Sequence, residues 1–104
     1  MSSKPAPSAP NWLAVRAREK WTETWQQIDP GRVKPEQHAY IVAIFCQAYA
    51  DYCEASENIN DIGLVIKSGS RSIANPCVAI RDKAAKTMVD LGFNLGLSPS
   101  ALGA

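Results

Sequence analysis

Histidine and cysteine are scarce in this chain: one His and three Cys among 104 residues. An odd, sparse set of cysteines does not make a disulfide framework and fits a reducing compartment. Cys46 and Cys53 lie seven residues apart, which on a helix is roughly 10 Å along the axis and beyond the reach of a disulfide. No two cysteines have the spacing of a zinc site, so core packing is the reading for all three, Cys77 included. Long apolar runs are also missing. The longest uncharged one, Ala39 to Cys46, is far too short to cross a bilayer, and no apolar leader marks the chain for secretion. The motifs of phosphate-binding loops, nucleophile elbows and paired metal-binding histidines are absent. The lone His38 has neither an orienting partner nor a nucleophile beside it in sequence and is read as structural. No catalysis, metal or cofactor is expected.

An excess of either charge is absent too: 11 Lys and Arg against 10 Asp and Glu leave a formal charge of +1. The distribution is uneven. Residues 1–34 hold Lys4, Arg16, Arg18, Lys20, Arg32 and Lys34 against Glu19, Glu23 and Asp29. Residues 35–63 hold only acids: Glu36, Asp51, Glu54, Glu57 and Asp61. Residues 64–104 hold Lys67, Arg71, Arg81, Lys83 and Lys86 against Asp82 and Asp90. Two basic arms thus flank an acidic middle, which suggests an anionic partner for the arms, and a basic partner or head-to-tail self-association for the middle.

Hydrophobic residues make up 46% of the chain, ordinary for one globular domain with one core. Residues 1–10, with three prolines and no large apolar side chain after Met1, predict a mobile arm, and residues 11–104 a single domain. From Trp12 the positions Leu13, Ala17, Trp21, Trp25 and Ile28 follow helical steps; Asn11 is the candidate cap and Asp29-Pro30-Gly31 the stop. Pro35 opens a second helix that runs to about Ile62, before Gly63. Its apolar side chains (Ile41, Ile44, Phe45, Ala48, Tyr49, Tyr52) cover more than one face, which favours a partner subunit. Leu64-Val65-Ile66 and the polar stretch Lys67–Ser72 read as an extended connector or a small hairpin-like excursion. Asn75-Pro76 caps and opens a third helix with Ile80, Ala84, Met88, Leu91 and Leu95 on one stripe; Gly96 ends it, and Ser98-Pro99-Ser100 can start a last turn. The expected fold is all-α: a short first helix, then a long helical hairpin of helices two and three with an irregular excursion between them. Trp21 and Trp25, one turn apart, can stack on nucleic-acid bases but are read as core.

The succession of motifs is similar to a known family. Pro10-Asn11-Trp12-Leu13 followed by Ala17 and Trp21, Cys46-Gln47-Ala48-Tyr49 with Tyr52, Gly63-Leu64 before a Gly-containing loop, Asn75-Pro76, and Leu95-Gly96-Leu97-Ser98-Pro99-Ser100 together resemble the phage terminase small subunit family over about residues 10–101. The resemblance implies a non-catalytic component of a viral genome-packaging motor in the cytoplasm of the infected host cell. It implies a ring-like homo-oligomer that recognises the packaging start on double-stranded phage DNA and presents it to the large subunit, which holds the ATPase and nuclease. On that reading Arg16, Arg18, Lys20, Arg32, Lys34, Lys67 and Arg71 are the candidate DNA contacts. Tyr49, Tyr52, Ile80 and Leu91 are candidates for core and subunit contacts. Two alternatives come from other classes: a helical adaptor that binds protein through the acidic face of helix two, and a small helix-turn-helix regulator, which a helix two of this length fits poorly.

Overall fold

The computed structural model describes residues 7–28, 31 and 33–97. Residues 1–6 of the expected arm, Asp29 and Pro30 of the expected stop, and the Ser98-Pro99-Ser100 turn lie outside them. The elements run α1 (Val15–Gln27), α2 (Pro35–Ile62), β1 (Val65–Ser68), β2 (Arg71–Ala74) and α3 (Pro76–Asn94).

Helix α2 is the axis of the molecule. Its 28 residues extend about 42 Å at about 1.5 Å per residue. The start at Pro35 uses a residue with no N–H to lose and a fixed φ. His38 reinforces that start, because its Nδ1 accepts the backbone N–H of Lys34 at 2.9 Å. Helix α1 lies antiparallel to α2, as the contacts Arg16–Glu57, Lys20–Tyr49 and Cys46–Thr24 show. Helix α3 is antiparallel as well: Asn75 meets Asn58 at one end, and Ala84 and Thr87 face Ala48 and Ile44 further along. The apolar faces of α2 are therefore covered from two sides within one chain, by α1 and α3, while Tyr40, Ile44 and Tyr52 stay exposed. Trp21, Val42, Phe45, Met88 and Leu95 fill the core.

Helix α1 begins later than its periodicity suggests. Asn11 is not its cap; Leu13 turns back to the Pro10 carbonyl at 3.3 Å, and the helix opens after Ala14, which has no capping side chain of its own. The acceptor comes from another helix, since Gln47 Oε1 takes the Ala14 N–H at 3.2 Å. Trp21 is buried, with its indole N–H donating to the Pro7 carbonyl at 2.7 Å. Its ring meets Trp25 edge to face at 5.7 Å, a core arrangement that leaves Trp21 no face for a base.

The all-α expectation is corrected by the excursion, which is a two-stranded antiparallel sheet pairing Val65 with Ala74, Ile66 with Ile73, Lys67 with Ser72 and Ser68 with Arg71. The fold is mostly helical with one β-hairpin. Val65, Ile66 and Ile73 are β-branched and favour the extended backbone. Gly69 (φ 66°) is the first of two loop residues, and Ser70 does not share its positive φ. That is the pattern of a type II′ turn, whose twist matches paired strands. At the far end of α3, Gly96 (φ 73°) closes the helix. The Leu97 N–H returns to the Gly92 carbonyl at 2.9 Å, and buried Leu97 supplies the apolar contact of a Schellman cap.

Candidate nucleic-acid interface

The hairpin leaves the helices at one end of a molecule measuring 63 × 26 × 20 Å. Asn75 holds it there. Its Oδ1 accepts the Cys77 N–H at 2.9 Å and caps α3, while its Nδ2 donates to Asn58 Oδ1 at 2.9 Å and to the Gly63 carbonyl at 2.8 Å. The Asn75 N–H closes the base on the Leu64 carbonyl at 2.9 Å. One buried side chain thereby ties the end of α2, the hairpin base and the start of α3.

Beyond this anchor nearly every hairpin residue is exposed; Ile66 is half-buried. The register puts Lys67 with Ser72 and Arg71 with Ser68, and successive residues alternate faces, so each face of the ribbon carries one cation and one serine hydroxyl. Both cations are exposed, and neither is paired with an acid among the described residues. Between Asp61 and Asp82 the chain holds no acidic residue. This uninterrupted stretch is plain in the sequence, although a division of the charge into three broad blocks hides it.

The other expected DNA contacts are placed differently. Arg16 forms an ion pair with Glu57 at 2.8 Å, and that hydrogen bond holds its guanidinium above the usual arginine value. Arg18 folds back onto its own helix start, with Nη2 donating to the Asn11 carbonyl at 2.8 Å and Nε to the Leu13 carbonyl at 3.2 Å. Lys20 is only 5% exposed; it pairs with Glu23 at 3.0 Å and lies 4.7 Å over the Tyr49 ring. Lys34 is exposed, but the length of α2, about 42 Å, separates it from the hairpin. Arg32 lies outside the described residues. Among the six that are described, Lys67 and Arg71 share the hairpin.

The residues expected at core and subunit contacts divide as well. Tyr49 and Leu91 pack half-buried against the core, whereas Tyr52 and Ile80 are exposed. A hydrogen bond with Cys53 raises the Tyr49 phenol above its ordinary value. Cys46 is fully buried, and burial pushes its thiol up to about 11; Cys53 and Cys77 are half-buried. Among the described residues there is no cluster of His, Cys, Asp or Glu that can hold a metal ion, and no helix long and apolar enough to cross a membrane.

Fold and surface together define a small, mostly helical protein with a basic ribbon at one end. Residues 17–103 match the family described as phage terminase, small subunit. The chain belongs to that family, which gives it a part in phage DNA packaging, where small subunits are in general the non-catalytic component and work with phage DNA and a large terminase subunit. No curated protein and no solved structure matches it.

Proposed function

We propose that this chain binds double-stranded phage DNA at the packaging start as a homo-oligomeric ring in the host cytoplasm, and hands it to the large terminase subunit, whose ATPase and nuclease it regulates. The hairpin makes the leading DNA contact. The observation that carries this is the two cations, Lys67 and Arg71, on an exposed ribbon, with no acid paired to them among the described residues. A two-stranded β-ribbon fits the major groove of B-DNA, about 12 Å wide. There the two cations, one on each face, reach phosphates on opposite walls, with Ser68, Ser70 and Ser72 as hydroxyl partners. Lys34 contributes a weaker contact, and Arg16, Arg18 and Lys20 contribute through the fold.

The test is binding to duplex DNA, followed by fluorescence anisotropy over a salt series. Removing one cation that neutralises a phosphate lowers the slope of log affinity against log salt by about 0.9. Lys67→Ala and Arg71→Ala each lower it by that amount per engaged subunit, whereas Lys20→Ala leaves it unchanged. If Lys67→Ala and Arg71→Ala both keep the wild-type slope, the hairpin is not the DNA contact.

The protein-binding adaptor remains the second reading because Glu54 and Asp61 are exposed along α2 with no cation paired to them among the described residues. It predicts no DNA binding at low salt. The helix-turn-helix alternative is not supported, since α2 has 28 residues and α3 has 19, and among the described residues no short helix pair is present.

A further inference from the structure

We propose that copies of this chain join head to tail, with Val89 and Phe93 of one α3 seated in a groove between Trp12, Ile44 and Ile80 of the next. This rests on the oligomeric part of the preceding reading and names the two surfaces that meet.

Phe93 is 77% exposed and Val89 60%. They stand four residues apart on α3, so they form one apolar ridge. The core side of the same helix is taken by Ala84, Met88 and Gly92. The groove, about 340 Å³ in volume, lies between α2, α3 and the turn before α1. Trp12 (58% exposed), Ile44 and Ile80 give it apolar walls, with Ala48 and Ala84 beneath them. A tryptophan more than half exposed beside two exposed isoleucines is an apolar surface unusual for a monomer.

Ridge and groove lie on opposite flanks of α3. Ile80 and Val89 are nine positions apart, which at 3.6 residues per turn places them about 180° apart around the helix. A two-fold dimer buries the same patch on both partners. Two different patches on opposite flanks make a heterologous contact instead, which repeats from copy to copy and closes into a ring when the rotation allows.

The charges around the two surfaces match. Lys86 and Asp90 flank the ridge, three positions before Val89 and Phe93, and both are exposed. Asp51 and Lys83 stand at the groove rim, and Asp51 keeps one oxygen beyond its bond from Gln47 Nε2. Each surface therefore offers one cation and one anion to its complement. The shape of the subunit agrees: its radius of gyration of 16.1 Å exceeds the roughly 13 Å of a compact domain of this length, so long flanks are left for neighbours. Phe93 and Trp12 bury roughly 150–250 Å² each on docking and form the anchored centre of the interface.

The test uses the full chain and light scattering after size exclusion. Phe93→Asp destroys the ridge and keeps the groove; Ile80→Glu does the reverse. Both positions are on the surface, and circular dichroism confirms that each variant folds. Each alone is expected as a monomer where the wild type is a multimer. Mixed in equal amounts they form a heterodimer and nothing larger, because the mixture contains one competent ridge and one competent groove per pair. Phe93→Ala is the milder variant and raises the concentration for half-assembly by about 30-fold. A wild type that stays monomeric overturns the oligomeric reading itself. A multimeric wild type whose two variants keep its mass overturns this contact and leaves that reading standing. Monomeric variants that fail to pair on mixing overturn the head-to-tail arrangement.

Discussion

Asn75 is the residue whose removal tests the architecture most directly. Its side chain caps α3 through the Cys77 N–H and donates both amide hydrogens, one to Asn58 Oδ1 and one to the Gly63 carbonyl. Replacing an N-cap Asn by Ala costs about 1 kcal/mol. Loss of each donation costs about 0.5–1.5 kcal/mol, and the lower part of that range applies because Asn58 and Gly63 are half-buried and water can replace the donor. Asn75→Ala therefore destabilises the fold by about 2–3 kcal/mol. For a chain of this size that lowers Tm by roughly 10–25 °C, taking about 4–8 °C per kcal/mol. Asn75→Ser separates the two roles: it keeps a good cap, loses both ties, and costs about 1 kcal/mol less than Ala. Asn75→Asp keeps the cap acceptor but turns two donations into contacts between acceptors, so it does no better than Ser. The assay is urea unfolding of the three variants at one protein concentration, since assembly makes apparent stability depend on concentration. If Asn75→Ala costs less than about 1 kcal/mol, the view that one side chain organises the hairpin base is wrong.

Two further outcomes follow from side chains already described. Cys46 is buried and its thiol is pushed up to about 11 from an ordinary 9.0, so it stays protonated in the fold. Its contribution to stability is complete below pH 9 and is lost as pH rises through about 11. The unfolding free energy relative to Cys46→Ala falls over that window by at most about 2.7 kcal/mol, at 1.36 kcal/mol per unit, and in native protein a thiol reagent labels Cys53 and Cys77 before Cys46. The monomeric variant Phe93→Asp, with two hairpin cations per chain, binds duplex DNA with a salt slope of about 1.8; a slope as steep as the wild type's counts against coupling DNA affinity to assembly.

The helix ends that can be read from the sequence are those whose determinants are local. Pro35 at a first turn, Gly63 after a last one, Asn75 before Pro76, and Gly96 each act within a few residues, and α2 and α3 begin and end where these predict. The start of α1 cannot be read this way, because the acceptor for the Ala14 N–H is Gln47, 33 residues away. The hairpin escapes an all-α reading for a different reason. Its β-branched residues are plain, but four-residue strands have little periodicity, and what makes them a sheet is their pairing with each other. The candidate DNA residues divide on the same principle. Lys67 and Arg71 flank a Gly/Ser turn that buries nothing, so their exposure follows from local composition. The engagement of Arg16 depends on Glu57, 41 residues away, and that of Lys20 on the Tyr49 ring; no local pattern foretells either.

These long-range pairings change the meaning of the charge distribution. Along the chain, two basic arms flank an acidic middle, which suggests two DNA-facing surfaces. Folding lays α1 against α2 and joins Arg16 to Glu57 and Lys20 to Glu23, so two cations of the first arm are engaged within the subunit. The hairpin keeps two exposed cations with no acidic partner among the described residues. At physiological ionic strength its field extends only about 8 Å, and two cations hold a duplex weakly. Proteins that grip DNA firmly through its phosphates make about 6–10 such contacts, so at two contacts per hairpin about three to five subunits must act together. A hairpin with two cations and a surface that joins copies are therefore complementary parts of the proposed function: the first supplies the contact, and the second multiplies it.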